Sequence, residues 1–264
     1  MKTNYALLLL GFLFLSCSSD NTSEDIPSAT NYYPSGTGNF WVYDVEGTPV
    51  GRDSLYISGD TLINSVAYKR FKTKMQPVGF YSNSLNKNGV RKSEDKLLVS
   101  GTIGLNFTDQ FPLTISISDF TAFKESASPN EVLGTVSGSF QQNVQGYPLT
   151  IEYTFTSKAV GSLASFTSPN NDVYTDVKSV NTILNVKIST IYQPQGVPIS
   201  IPVTILPAQD VIVSTQYYAK NIGVVHTNTD MHYQLASLPV QVQLPIPSSG
   251  DQNQKEFLDT YQIN

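Results

Sequence analysis

The chain is poor in the residues from which most catalytic and metal centres are built. Its 264 residues hold one Cys, two His, three Met and one Trp, and only 14% of them are charged. A single Cys excludes a disulfide framework and every multi-Cys zinc site. A net charge of −5 argues against a nucleic-acid partner, which requires a basic face. The apolar run Ala6 to Leu15 is too short to cross a membrane. As a helix it would cover about 15 Å of a hydrocarbon layer roughly 30 Å thick. What is present in quantity is turn-forming and aromatic: 17 Gly, 15 Pro, 15 Tyr and 13 Phe in a chain that is 40% hydrophobic. That share is enough for a buried core, and the mix favours strands and turns over amphipathic helices.

The front of the chain reads as an address. Lys2 and the apolar run Ala6 to Leu15 have the form of a secretory leader. Leu15-Ser16-Cys17 follows at once, with the only Cys of the chain behind a small residue. This resembles a bacterial lipobox, with Phe14 standing where Leu is usual. The resemblance implies a signal peptide over residues 1–16, cleavage before Cys17, and acyl chains on Cys17 that anchor the protein in a membrane. Loss of residues 1–16 removes only Lys2 among the charges, leaving fifteen Lys and Arg against twenty-one Asp and Glu, or −6. Residues 17–31 are almost devoid of apolar side chains and read as a flexible tether. A Ser- and Asp-containing stretch directly after such a Cys is similar to the export signals of Bacteroidetes-type surface lipoproteins. The expected location is the outer membrane, facing either the surface or the periplasm.

Residues 32–264 read as a single β-rich domain with space for a central insertion at 105–210. Short alternating segments are separated by turn signals, the pattern of a curved antiparallel sheet, an incompletely closed barrel or a sandwich. Phe40 to Glu46, Asp53 to Ser58 and Val66 to Lys74 are strand-like, with a tight turn at Asn64-Ser65. Phe80-Tyr81 and Lys96 to Ser100 continue the meander, and Glu256 to Ile263 is read as a closing strand. Four segments begin apolar-Pro and then alternate, at Phe111-Pro112, Tyr147-Pro148, Val197-Pro198 and Leu238-Pro239. A proline at the first residue of a strand costs no ladder bond, so these are read as strand starts.

Two end segments carry a family likeness. Tyr33-Pro34 with Gly38-Asn39-Phe40-Trp41-Val42-Tyr43, and Tyr217-Tyr218-Ala219-Lys220-Asn221-Ile222-Gly223-Val224-Val225, resemble motifs of the TapB-type (DUF3108-like) families of secreted bacterial proteins. Asn221 stands where those families often carry Gly. The resemblance implies a curved, incompletely closed antiparallel barrel related to lipoprotein carriers, and it implies no reaction.

Candidate chemistry is sparse. A three-residue hairpin loop at Asn228 to Asp230 would set His226 opposite His232, and with Asp230 they would form an open divalent-metal site. The carboxylate pairs Asp44/Glu46, Glu94/Asp95 and Asp172/Asp176 all fall at expected turns or strand edges. The Asn170-Asn171-Asp172 loop lacks the ligand ladder of a calcium-binding hand. Gly101 with Gly104, and Gly134 with Gly138, lack the Lys and the following helix of a phosphate loop. Trp41, with Phe40 and Tyr43, is a candidate sugar-stacking platform, although alternation forces at least one of its faces into the core. No catalytic residue, metal or cofactor is therefore assigned, and Cys17 is the one functional residue. The expected function is that of a non-enzymatic, membrane-anchored envelope or surface lipoprotein whose β-domain is structural or binds a protein, glycan or lipid partner, and no nucleic acid. A surface glycan-binding accessory protein, a lipid carrier and, last, a hydrolase are the alternatives.

Overall fold

A computed structural model describes residues 31–108, 111–144, 146–193, 198–237 and 247–264, without the side chains of 105–112. Cys17, the leader, the tether up to residue 30 and the segment at Leu238-Pro239 lie outside the described residues. Alternation makes the strands. In Tyr147–Thr167, for example, Leu149, Ile151 and Phe155 are buried while Thr150 and Glu152 face outward. Among the described residues twelve strands form in this way, and one helix of six residues interrupts them. They are β1 (Phe40–Glu46), β2 (Gly51–Ile63), β3 (Val66–Thr73), α1 (Phe80–Leu85), β4 (Gly89–Ser93) and β5 (Lys96–Thr108). The second half supplies β6 (Phe111–Lys124), β7 (Val132–Val144), β8 (Tyr147–Thr167), β9 (Val173–Tyr192), β10 (Ile201–Ala219), β11 (Gly223–Gln234) and β12 (Ser249–Gln262).

All twelve belong to one antiparallel sheet in the order β6-β5-β4-β3-β2-β1-β12-β11-β10-β9-β8-β7. The first and last strands of the chain are thus neighbours in the middle of the sheet, and two six-strand meanders run outward from them. The sheet curls into a barrel that is nearly closed, with an unsealed seam between β6 and β7. At the seam Phe120 packs on Phe155 with ring centres 5.1 Å apart, and the Ser157 hydroxyl donates to the Thr121 carbonyl. Gly134 suits this close approach, because a Cβ would lie 3.0 Å from the Thr121 carbonyl oxygen and the neighbouring backbone would have to give by a few tenths of an ångström. The segment expected as an insertion instead supplies, in its described residues, the end of β5, the strands β6 to β9 and the first part of β10 of this same sheet.

The turns follow the chemistry of their residues. Asn64 and Ser65 both adopt left-handed backbone, at φ 50° and 66°, and close the two-residue hairpin between β2 and β3. Asn221 has φ 64° between β10 and β11, a conformation that Asn tolerates almost as well as the expected Gly. The apolar-Pro segments at 111 and 147 open β6 and β8, while β10 starts only at Ile201, three residues beyond Pro198. Glu256 to Gln262 forms the second half of β12, as a strand, and Ile263 follows its end.

One element departs from the expected meander: Phe80-Tyr81 opens α1. Six residues are too few to display a helical stripe, and no side chain of Gly79 caps the helix. It persists because five of its six residues are buried against the concave face of the sheet. The core beside it mixes aliphatic and aromatic side chains, and the aromatics gather in stacks. Trp41 stacks on Phe71 at 6.1 Å and on Tyr33 at 6.4 Å, and Phe123 meets Tyr218 at 4.4 Å. Trp41 Nε1–H donates to the Ile222 carbonyl at 2.7 Å and the Tyr43 hydroxyl to the Val224 carbonyl at 2.8 Å, which ties β1 to the β10–β11 turn.

The two faces of β8 should therefore respond very differently to truncation. Ile151→Ala should cost about 2–5 kcal/mol in urea unfolding. Glu152→Ala, one residue on, removes only an exposed pair with Lys187 and should cost about 1 kcal/mol or less. Equal losses at both positions would mean that the register of β8 is displaced.

Candidate functional site

The residues singled out from the sequence do not converge. His226 and His232 lie on one continuous strand, β11, where they pair with Phe257 and Asp251 of β12. The expected hairpin at Asn228 to Asp230 does not form, because Thr227 and Thr229 find buried hydroxyl partners that keep this polar stretch in the sheet. Thr229 meets Ser214 at 2.8 Å, and Thr227 donates to Glu256 at 3.2 Å. Asn228 and Asp230 are held on the other face by Asn253, at 2.9 and 2.7 Å. His232 stands exposed, 3.5 Å from Asp251. Among the described residues no group of three His, Cys, Asp or Glu is placed to hold a metal ion.

The carboxylate pairs are occupied elsewhere. Asp44 shares Arg52 with Asp259, and Asp95 is bonded by Ser126. Asp172 accepts from Asn170 at 3.0 Å within the β8–β9 turn, while Asp176 lies 3.8 Å from Lys220. Trp41 is 3% exposed and belongs to the core, so it offers no sugar-stacking surface.

The structure builds its densest polar cluster from residues that sequence reading passed over. Asp53 on β2 and Gln254 and Glu256 on β12 point into the barrel at the start of α1. The Val78 and Gly79 amides donate to Asp53 at 3.0 and 2.8 Å, and the Phe80 amide donates to Gln254 at 2.8 Å. Glu256 accepts from the Tyr81 and Ser82 amides at 2.7 and 3.3 Å, and from the Ser82 hydroxyl at 3.0 Å. The first amides of a helix have no partner within the helix, and here carboxylates of the sheet supply one. Gly79 is obligatory, since a Cβ at that position would collide with both carboxylates. One signal for this cluster was available in the sequence: Gln254, Glu256 and Leu258 share a face of β12, and Leu258 belongs inside.

Burial pushes the Glu256 carboxyl up to about 7, and the nearby Asp53 charge adds to the rise. On the opposite face of the sheet His226 lies in a stack between Tyr217 at 5.6 Å and Phe257 at 5.0 Å. Its Nδ1–H donates to the Glu256 backbone carbonyl at 2.9 Å, and burial lowers its pKa to about 4. Both groups therefore resist ionisation. Glu256 has no exposed surface and Asp53 almost none, so no substrate reaches the carboxylates from solvent. The cluster fixes α1 to the sheet.

Two open spaces adjoin this cluster. Beside α1 an interior cavity of about 30 Å³ is lined by Tyr33, Tyr81, Leu85, Phe120 and Tyr218, among others. It has room for one or two waters. At the N-terminal side of α1 an open groove of about 370 Å³ is lined by Pro49, Gln76, Phe80, Met231, Gln252 and Gln254. Its lining is neutral and rich in amides, interspersed with apolar side chains.

The two buried titratable groups give opposite pH slopes. A carboxyl raised from 4.5 to about 7 holds its proton in the fold, so its contribution is full below pH 4.5 and is lost as pH rises to about 7. A His lowered from 6.5 to about 4 contributes fully above pH 6.5, and that is lost as pH falls towards 4. Each shift corresponds to about 3 kcal/mol, and in the shared window they cancel. Relative to wild type, Glu256→Gln should gain stability with rising pH between 4.5 and 6.5, and His226→Phe should lose it. Urea midpoints across that range check both; parallel profiles for the three proteins would reject this account of the two groups.

No protein-family model, curated protein or solved structure matches this chain.

Proposed function

We propose that the chain is a non-enzymatic, lipid-anchored lipoprotein of the bacterial outer membrane whose β-domain works by contact at its outer surface. The observation that carries this reading is the filled barrel. The interior space of about 30 Å³ is roughly a tenth of the smallest ordinary small-molecule site, which starts near 300 Å³. A carrier of the kind implied by the end motifs would need its concave face free for a lipid. Here α1 and the aromatic side chains of Tyr33, Trp41, Phe71 and Tyr218 cover that face. The anchor rests on Leu15-Ser16-Cys17 and the apolar run before it. Two or three acyl chains on Cys17, each methylene contributing about 0.8 kcal/mol when buried, hold a protein on a bilayer without a spanning segment.

The groove beside α1 supports a second reading, a glycan-binding accessory role. Amides such as Gln76 and Gln252 are suited to sugar hydroxyls, and the half-buried Met231 to the apolar face of a ring. A glycan whose binding is weakened at least tenfold by Gln252→Ala would favour it.

Replacement of Cys17 by Ser should abolish processing or release the protein from membranes after a high-salt wash. A Ser variant that is still processed and stays in the washed membrane fraction would refute the lipid anchor. Native mass spectrometry of the non-lipidated protein should show the bare chain mass. Lipid copurifying at near one-to-one stoichiometry would instead make it a carrier.

A further inference from the structure

The charge of this acidic chain is unevenly placed. Residues 66–96 hold eight Lys and Arg against two Asp and Glu, whereas the remainder holds eight against nineteen. The fold gathers this basic stretch on one part of the barrel, along the neighbouring strands β3 and β4. Phe71 points into the core, so Arg70 and Lys72 on either side of it point outward. Arg70 pairs with Gly89 of β4, and Lys87, just before β4, bonds through its amide to the Phe71 carbonyl at 2.9 Å. Lys74 continues past the end of β3, Arg91 lies over the Tyr68 ring at the other end of the stripe, and Lys96 follows on β5, whereas Lys92, paired with the buried Leu97, is exposed on the opposite face of β4. From Lys74 to Arg91, whose guanidinium lies over the Tyr68 ring, the stripe runs about 20 Å.

Most of these cations are uncompensated. Lys69 pairs with Asp60 and Arg91 with Asp119. Among the described residues Arg70, Lys72, Lys74, Lys87, Lys92 and Lys96 have no carboxylate within ion-pair distance. The two acids of the stretch are Glu94 and Asp95, and Asp95 is engaged by Ser126. Met75 follows Lys74 and is 82% exposed, an apolar side chain among cations of the kind that enters a lipid interface.

The length of chain between the anchor and the domain names the partner. The described domain begins at Asn31, and Tyr32 lines a small cavity together with Lys92 and Lys96 and the acids Asp95 and Glu125. Thirteen residues separate Cys17 from Asn31, a reach of at most about 48 Å. Anchored at Cys17, the domain is held within that distance of the bilayer, so the local concentration of headgroups is high.

We propose that the basic stripe on β3 and β4 docks the domain onto the phosphate headgroups of the membrane that carries its acyl chains. This rests on the lipid-anchor reading. Docking orients the barrel, directing its acidic remainder away from the bilayer.

The test uses the chain without residues 1–16 and with Cys17→Ser, so that no acyl chain contributes. It should sediment with vesicles of 30% phosphatidylglycerol in phosphatidylcholine at about 50 mM salt, and not with pure phosphatidylcholine. Binding should be lost near 1 M salt, where the screening length falls to about 3 Å. The triple variant Arg70→Gln, Lys72→Gln, Lys87→Gln should bind about a hundredfold more weakly. Lys158→Gln, Lys187→Gln, Lys220→Gln, which removes the same charge elsewhere, should bind within about threefold of wild type. Matching urea midpoints will show that both variants are folded. Equal affinity for the two vesicle types, no binding to either, or equal losses in the two variants would each overturn the proposal. Binding to a soluble polyanion such as heparin without binding to the anionic vesicles would overturn it too, and would name an acidic polymer as the partner. Failure here leaves the anchor standing if Cys17→Ser still releases the protein from cells' membranes, and failure of that release leaves vesicle binding to be read on its own.

Discussion

A single contact organises this barrel: the buried carboxylates of Asp53 and Glu256, with the amide of Gln254, receive the first amides of α1. A short helix with no charge and no cap of its own has little stability alone. Here its orphan amides find acceptors on the sheet, and the same bonds satisfy acceptors that would otherwise be buried at a cost of about 1–3 kcal/mol each. The helix and the carboxylates thus require each other. Their location adds to the effect, because β2 follows the first strand of the chain and β12 is the last. The contact clasps the middle of the sheet, where the two meanders meet through β1 and β12.

What the helix accomplishes is the filling of a concave surface that the sheet cannot fill for itself. Twelve alternating strands present one apolar side each, and a sheet that closes only nearly leaves space at its axis. Phe80, Tyr81 and Leu85 occupy that space with Trp41, Phe71 and Tyr218. The seam follows from the same geometry. Phe120 and Thr121 of β6 reach Phe155 and Ser157 of β8, across Gly134 of β7, so the edges meet through side chains and not through a ladder. A barrel packed in this way keeps an interior space of about 30 Å³ beside α1.

The sheet was legible and its interior polarity was not. Period-two alternation in segments such as Leu149 to Phe155 marks one buried face wherever that face is apolar, and the Asn64-Ser65 turn and the strand character of Glu256 to Gln262 were readable for the same reason. The failures share one cause. Where a strand turns polar side chains inward, alternation of hydrophobicity disappears, and His226 to His232 reads as a turn although it is a strand whose Thr227 and Thr229 are buried. Glu256 resembles a solvated acid near the C-terminus until its partners, some 175 residues earlier in the chain, come into view. A six-residue helix held by such partners leaves no periodic trace. Long-range hydrogen bonds to buried polar groups are the information that a local pattern does not contain.

The same distinction applies to charge. Net charge is a sum over the chain, and a sum of −5 conceals a stretch in which cations outnumber acids four to one. Sequence alone shows the stretch, but the register shows that it forms a surface: Phe71 turned inward forces Arg70 and Lys72 outward, and the β3–β4 pairing brings Lys87 alongside them. Within a screening length of about 10 Å, a neighbouring surface responds to this local field and not to the total. An acidic protein can therefore present a basic face to a phosphate-bearing bilayer, while the repulsion between its acidic remainder and that bilayer fixes which way it faces. Orientation and attraction then come from one asymmetric distribution of charge, laid down by which residues of β3 alternate with its core.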